Sequence, residues 1–480
     1  MKFFSKLKEQ DALLTFLVLE CLAICAFALG NISYIFYILG ILVGGASIVL
    51  CFERFKGENL KSLLLFATPM FLLSIFVSFG KLLSNHIFEN VLVFLSINIF
   101  LFMGVVMRRF KGFKIELVLI VVGFAIALLL LISMVYSWTQ YGFFYAAIYK
   151  KTPIYYYNAE LFNITKEGYW LVGFSFKEMN LNYTSTFAII LVCYLAGLLF
   201  VSPKENKRVF YIFLALGLLG FVYLLTIPNF KALIFLVPAI GIALCYKFVK
   251  DQKKFTTILD YVLLGIMGLL IIFFVIALVN ASGAGIATKI AGSRVLNRLF
   301  NSNRIMVDIN PVLKQAAYKY NLFGFLTTQD PNTMTYVQFE ELQDATVINT
   351  GMFEIELIKE GGLFTIPLII AVVVVAYIFG KKYLLENKDV NYGKIVLVSI
   401  LATVFFYLTF ENEIFPIIHQ NENYYSFFRN PLVLVIIALV GMLYPYSPKE
   451  SADETPQKVE QETQMEDMSL WRKNLWLHLL

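Results

Sequence analysis

Charge is scarce in this chain: 15% of its 480 residues are Asp, Glu, Lys or Arg, where a soluble domain carries about a quarter. That shortage excludes a soluble globular protein, and with it a compact Rossmann, TIM-barrel or zinc enzyme. Cysteine is also sparse. Cys21, Cys25, Cys51, Cys193 and Cys245 all fall in or at the ends of apolar segments, so no disulfide framework is implied. Cys21 and Cys25 share a helix face at i, i+4 but lack histidine or acidic neighbours for a metal, and are read as small buried hydrophobes. Alternation is missing too, since the apolar runs are long and unbroken, and this rules out a β-barrel. What is present is apolar: 59% of the residues are hydrophobic and the mean hydropathy is +0.74. Twelve membrane helices of about 20 residues each would take roughly half of such a chain.

Apolar runs lie at about residues 12–30, 33–52, 62–79, 88–106, 115–138 and 184–202, then 209–226, 232–248, 258–281, 361–380, 395–410 and 431–446. The basic residues test how these are threaded, because short cytoplasmic loops carry the excess of Lys and Arg. With the N-terminus inside, 21 basic residues in short connections fall inside, among them Arg108, Arg109, Lys381 and Lys394. The short outer connections hold only Lys81, Lys231 and Arg429. The expected fold is therefore all-α, a polytopic integral membrane protein of about twelve transmembrane helices with both termini cytoplasmic. Residues 1–446 form the membrane domain. Met1 to Lys8 precedes a retained first helix, since no small-residue cleavage site follows. Residues 447–480 are polar and acidic and are expected to be a disordered cytoplasmic tail.

Two long outer loops interrupt this economical path, at about 139–183 and 282–360, and long loops carry function. The first is rich in aromatics, from Tyr136 and Trp138 to Tyr169 and Trp170, which suit either sugar rings or the membrane interface. The second opens with a glycine-rich stretch and then carries Arg294, Arg298, Arg304, Asp308 and Lys314. Basic groups at the outer surface can hold an anionic lipid headgroup, and the fixed fork of arginine matches a diphosphate; a solvated charge run is the plain alternative. Lys231 stands just inside an apolar segment, where an ionisable residue is costly unless it is functional or snorkels to the interface.

These residues resemble a known family. Ser302, Asn303, Arg304 and Ile305, followed by Asn321, Leu322, Phe323, Gly324 and Phe325, resemble the Ser-Gly-Arg segment and Pro-Leu-Phe-Gly-type turn of the O-antigen polymerase and ligase family. Asn349 to Thr365 looks like that family's polar-start helix and glycine turn, with Glu360 and Gly362 in place. Asn180 and Asn182 resemble its asparagine-containing helix start, and Lys231 stands where many members have arginine. The pattern keeps its order over residues 180–380.

The resemblance implies a glycosyltransferase that takes an undecaprenyl-diphosphate-linked oligosaccharide at the outer face of the bacterial cytoplasmic membrane, with no cofactor, metal or nucleotide. Its other partners would be the lipid bilayer, a chain-length regulator and a flippase, with no nucleic acid. Arg304 and Lys231, with Arg298, would stabilise the charge that develops on the diphosphate leaving group. Glu178, Asp308, Glu356 and His419 are candidates to orient or deprotonate the acceptor hydroxyl. Lys314, Asn180, Asn182 and Asn349 complete the expected substrate-binding set. The ligases carry a histidine where this chain has Asn349 to Gly351, so the polymerase branch, building a capsular, exopolysaccharide or O-antigen polymer, is the better match. The rivals are ligase-type transfer and a lipid-linked oligosaccharide flippase or carrier. A carrier needs polar groups near the bilayer midplane, and these spans are nearly free of buried charge: Glu20 and Glu116 are isolated, and Asn98 is only polar.

Overall fold

The computed structural model describes residues 9–29, 34–52, 60–79, 87–110, 113–141, 152–153, 167–168, 181–201, 206–226, 236–249, 252–281, 364–385, 392–410 and 431–445, with residues 233, 357, 361 and 362. Nearly all of this is helix. In chain order the helices are α1 (Glu9–Leu29), α2 (Tyr34–Leu50), α3 (Leu60–Phe79), α4 (Ile87–Met107) and α5 (Ile115–Tyr141). Next come α6 (Leu181–Val192), α7 (Tyr194–Leu198), α8 (Lys207–Thr226), α9 (Val237–Phe248) and α10 (Gln252–Ala281). The last three are α11 (Thr365–Leu385), α12 (Tyr392–Phe410) and α13 (Pro431–Gly441). A two-residue antiparallel pair, β1 (Thr152–Pro153) with β2 (Glu167–Gly168), lies within the first long loop.

Every apolar run read from the sequence carries a helix. Apolar side chains find no water to avoid once a bilayer surrounds them, and a helix satisfies its backbone polar groups within the segment. Among the described residues, four stretches are long and apolar enough to cross a membrane: Leu60–Ser78, Asn90–Met107, Lys207–Leu225 and Thr365–Leu385. Shorter apolar helices accompany them, such as Ile35–Leu50 and Tyr392–Tyr407. The sixth run is not one helix but two, α6 and α7, separated at Cys193, where the Ala196 amide bonds the Cys193 carbonyl in a tightened turn. The helix of the eighth run, α9, begins at Val237, five residues later than the apolar run, with Pro238 in its first turn.

The helices pack in two groups. One comprises α1 to α4 with α11 and α13; the other comprises α5 to α9; and α12 touches members of both. Aromatic rings fill the first group: Phe27 meets Tyr37 and Phe100 edge-on at 4.5 and 5.0 Å, and Phe66 meets Phe379 at 4.9 Å and Tyr444 at 5.3 Å. In the second, the buried Tyr194 meets Phe213 at 5.2 Å, and its hydroxyl donates to the Leu119 carbonyl. Polar side chains within the apolar segments are tied locally. The Ser74 hydroxyl donates to the Phe71 carbonyl, and the Asn98 amide donates to Ser74 Oγ at 2.9 Å, linking α3 to α4.

Two of the cysteine expectations change. Cys51 and Cys193 are buried, but Cys21 and Cys25 point out from the bundle and Cys245 is half-buried. In a bilayer a face turned to lipid is as apolar as one turned to another helix, so sequence does not separate the two.

Candidate functional site

Paired contacts along α3 and α11 define the two ends of the molecule. Phe66 meets Phe379 near one end and Phe76 meets Phe364 near the other, so the two helices run antiparallel. The second long loop leaves α10 at Ala281 and rejoins the bundle at the start of α11, beside the C-terminal end of α3.

The return point is built from glycine. Gly362 has φ 81°, in the left-handed region that favours glycine, and its carbonyl accepts from both the Thr365 amide at 3.1 Å and the Thr365 hydroxyl at 2.7 Å. These two bonds tie the turn to the first residue of α11. Gly361 lies flat against α3: a Cβ there would stand 3.0 Å from the Phe76 carbonyl carbon. Phe364 stacks on Phe76 with centroids 5.6 Å apart and planes 11° apart, and Leu357 is buried. The end of the loop is therefore pinned to α3 by packing on both sides of the turn.

Most of the residues on which the expected chemistry rests lie outside the described residues. These are Arg298, Arg304, Asp308, Lys314, Asn349 and Glu356 of the second loop, together with Glu178, Asn180, Lys231, Glu360 and His419. Asn182 falls in the first turn of α6, where the backbone alone is described. The aromatic residues of the first loop beyond Tyr141, and the tail, also lie outside. Of the matched stretch 349–365, Leu357, Gly361, Gly362, Phe364 and Thr365 are described, and Gly362 with Thr365 forms the turn just outlined.

The opposite end of the bundle is basic. Arg108, one residue past α4, donates through Nη1 to the carbonyls of Met442 at 3.2 Å, Leu443 at 3.4 Å and Tyr444 at 2.8 Å, capping the C-terminus of α13. Its guanidinium lies 4.4 Å from the Tyr383 ring, and Lys394 lies 5.0 Å from the same ring. Arg109 is buried, bonds the Val105 carbonyl and faces the Tyr444 ring. Sequence reasoning treated these cations as loop charges that mark topology; the structure builds them into helix ends.

Asp260 was not recognised from the sequence. It sits on α10 and accepts from Lys381 Nζ at both carboxylate oxygens, 2.8 Å each, and from the Tyr377 hydroxyl at 2.8 Å. The signal was available, an acid inside an apolar run, the same feature that drew notice to Glu20 and Glu116. Glu20 itself is 7% exposed, on the face of α1 that also buries Phe16, Ala23 and Phe27.

Among the described residues no three of His, Cys, Asp and Glu come together as a metal site. The space between α3, α4 and α11, lined by Phe66, Pro69, Met70 and Val372 among others, is apolar and offers no reacting group. No family model, curated protein or solved structure matches the chain.

Proposed function

We propose that the protein is a polytopic enzyme of the bacterial cytoplasmic membrane that joins undecaprenyl-diphosphate-linked oligosaccharide units at the outer face, as a member of the O-antigen polymerase branch. The observation that carries this reading is the ordered pattern of residues 302–305, 321–325 and 349–365 in one long loop placed outside by the basic-residue count. The glycine turn at Gly361 and Gly362, where that pattern ends, supports it, since it is a packed element with demanding geometry. In this reading twelve spans hold both termini in the cytoplasm. Arg304 and Lys231 grip the diphosphate, and the acceptor hydroxyl of a second lipid-linked unit attacks the anomeric carbon as the diphosphate leaves with the bonding electron pair.

Removing one preorganised donor from developing charge lowers turnover by about 10²–10³. Arg304→Ala should do so for polymer formation, while single repeat units still reach the outer face. Purified protein in lipid nanodiscs should lengthen lipid-linked repeat units without added metal or nucleotide. Transfer to a different lipid acceptor would select the ligase reading, and no lengthening at all would end the proposal.

A carrier has one observation in its favour, the buried Glu20 in α1. Glu20→Gln separates the two: a polymerase keeps its rate, whereas a carrier that uses this carboxyl loses transport and accumulates units inside.

A further inference from the structure

One seam of the second helix group is polar where its surroundings are apolar. Ser399, Thr403 and Tyr407 recur every fourth residue along one face of α12, and each is fully buried. α6 packs against α12 and brings Thr186 and Cys193, which are buried as well. The Cys193 thiol donates to the Ser399 carbonyl at 3.8 Å, and Thr403 stands beside the same sulfur. Further on, a Cβ at Gly197 would meet Val396, so α6 and α7 run opposite to α12. Thr186 and Tyr407 therefore both fall about two turns from this contact, on the side where α6 begins.

The seam meets the break between α6 and α7. In an unbroken helix the Ala196 amide would bond the Val192 carbonyl; here it bonds Cys193, which leaves the Val192 carbonyl without its helical donor. Two hydroxyls beside the break also depart from the local pairing seen elsewhere in the bundle. A threonine inside a helix commonly donates to the carbonyl four residues back. For Thr403 that is Ser399, whose carbonyl already accepts from the Cys193 thiol. Neither Ser399 Oγ nor Thr403 Oγ1 has a hydrogen-bond partner. Polar groups left so are costly, above all among apolar side chains and lipid. The break follows the 12 residues of α6, about 18 Å from their start and near the middle of a bilayer core.

We propose that the break is a binding site for one water molecule, held between the Ser399 and Thr403 hydroxyls and the freed Val192 carbonyl. Three partners are the usual number for a buried water. Residues on adjacent turns of one helix face hold their Cβ atoms about 5–6 Å apart, close to the span of two hydrogen bonds that meet at one oxygen. The seam running on to Tyr407 and Thr186 gives solvent a polar route from the end where α6 begins. Broken membrane helices also hold sodium ions, but hard cations gather about six oxygens or more. This site offers three oxygens beside a sulfur, which is a soft ligand. With water in place, α6 ends at Cys193 without an orphaned group, although neither proline nor glycine stands there. The site is independent of the chemistry proposed for the second loop.

The test is solid-state NMR on the full chain in lipid nanodiscs, reading how fast proton polarisation from water reaches labelled side chains. Ser399 and Thr403 should receive it several-fold faster than Val404 and Leu191, which are as deeply buried but apolar. Thr403→Val removes one partner of the water, so transfer to Ser399 should fall toward the Val404 rate. The same variant should lower the unfolding midpoint by about 1–3 °C, whereas a methyl in place of an orphaned hydroxyl would raise it. Ser399→Ala reads the site from the other side, through transfer to Thr403, and decides the matter if Thr403→Val does not fold. Transfer to Ser399 and Thr403 no faster than to Val404, or a midpoint raised by Thr403→Val, overturns the water site. So does a midpoint that rises when sodium chloride replaces choline chloride, because the guest would then be a cation.

Discussion

At the scale of single residues, the tightest constraint lies where α4 crosses α13. A Cβ on Gly104 would overlap the Ala438 carbonyl and stand 3.0 Å from the Gly441 Cα, and a Cβ on Gly441 would overlap the Leu101 carbonyl. Backbone meets backbone there, so neither helix can yield by rotating a side chain. Small residues at such a crossing let helices approach in lipid, where there is no hydrophobic drive between them. Gly104→Val should therefore destabilise the fold by about 1–3 kcal/mol or more, as overpacking does. Gly241 in α9 is the contrast: nothing stands within 4 Å of a Cβ there, and Gly241→Ala should stabilise by about 0.5–1 kcal/mol through helix propensity alone. Thermal unfolding of both variants in one detergent checks the pair, and equal effects would refute the close crossing.

At the scale of elements, the junction into α11 shows how local geometry positions a loop. Replacing Gly362 by Ala puts a Cβ into the left-handed region, a cost of about 1–2 kcal/mol, and loosens the turn to which Thr365 donates. The expected result is a modest loss of stability with a larger loss of polymer formation, read by unfolding and by product length. Activity that falls no further than stability would leave the turn a purely structural role. The helices themselves were legible in the sequence, because an apolar run of membrane length has few alternatives to helix. The Gly362 turn was legible too, through the pattern of residues 349–365. The break at Cys193 was not, since no proline or glycine marks it and both halves are apolar. Nor was the outward orientation of Cys21 and Cys25, because hydropathy reports the solvent a segment prefers and not the face it packs. The Asp260 contact was missed for another reason: its partners lie more than a hundred residues away, and pairing across that separation leaves no periodic mark.

At the scale of the whole molecule, the proposed threading can be set beside the way the helix ends pack. Counting apolar runs puts an even number of crossings between Arg108 after the fourth run, Lys381 after the tenth and Lys394 before the eleventh, so all three belong on one side. Packing brings the same cations to one end: Arg108 and Lys394 flank the Tyr383 ring, and Lys381 lies two residues before that tyrosine on α11. Basic residues near span ends favour the cytoplasm, so this end should face inward and the glycine turn at α11 should face outward. Single-cysteine chains, with the native cysteines replaced, turn this into a measurement on intact cells with a membrane-impermeant maleimide. Arg304→Cys and Lys231→Cys should label from outside, whereas Lys388→Cys should label only after the membrane is opened. Labelling of Lys388→Cys in intact cells together with protection of Arg304→Cys would invert the molecule. The cationic loop would then face the cytoplasm, where no outward-displayed lipid-linked sugar could reach it, and the proposed chemistry would fall with the topology.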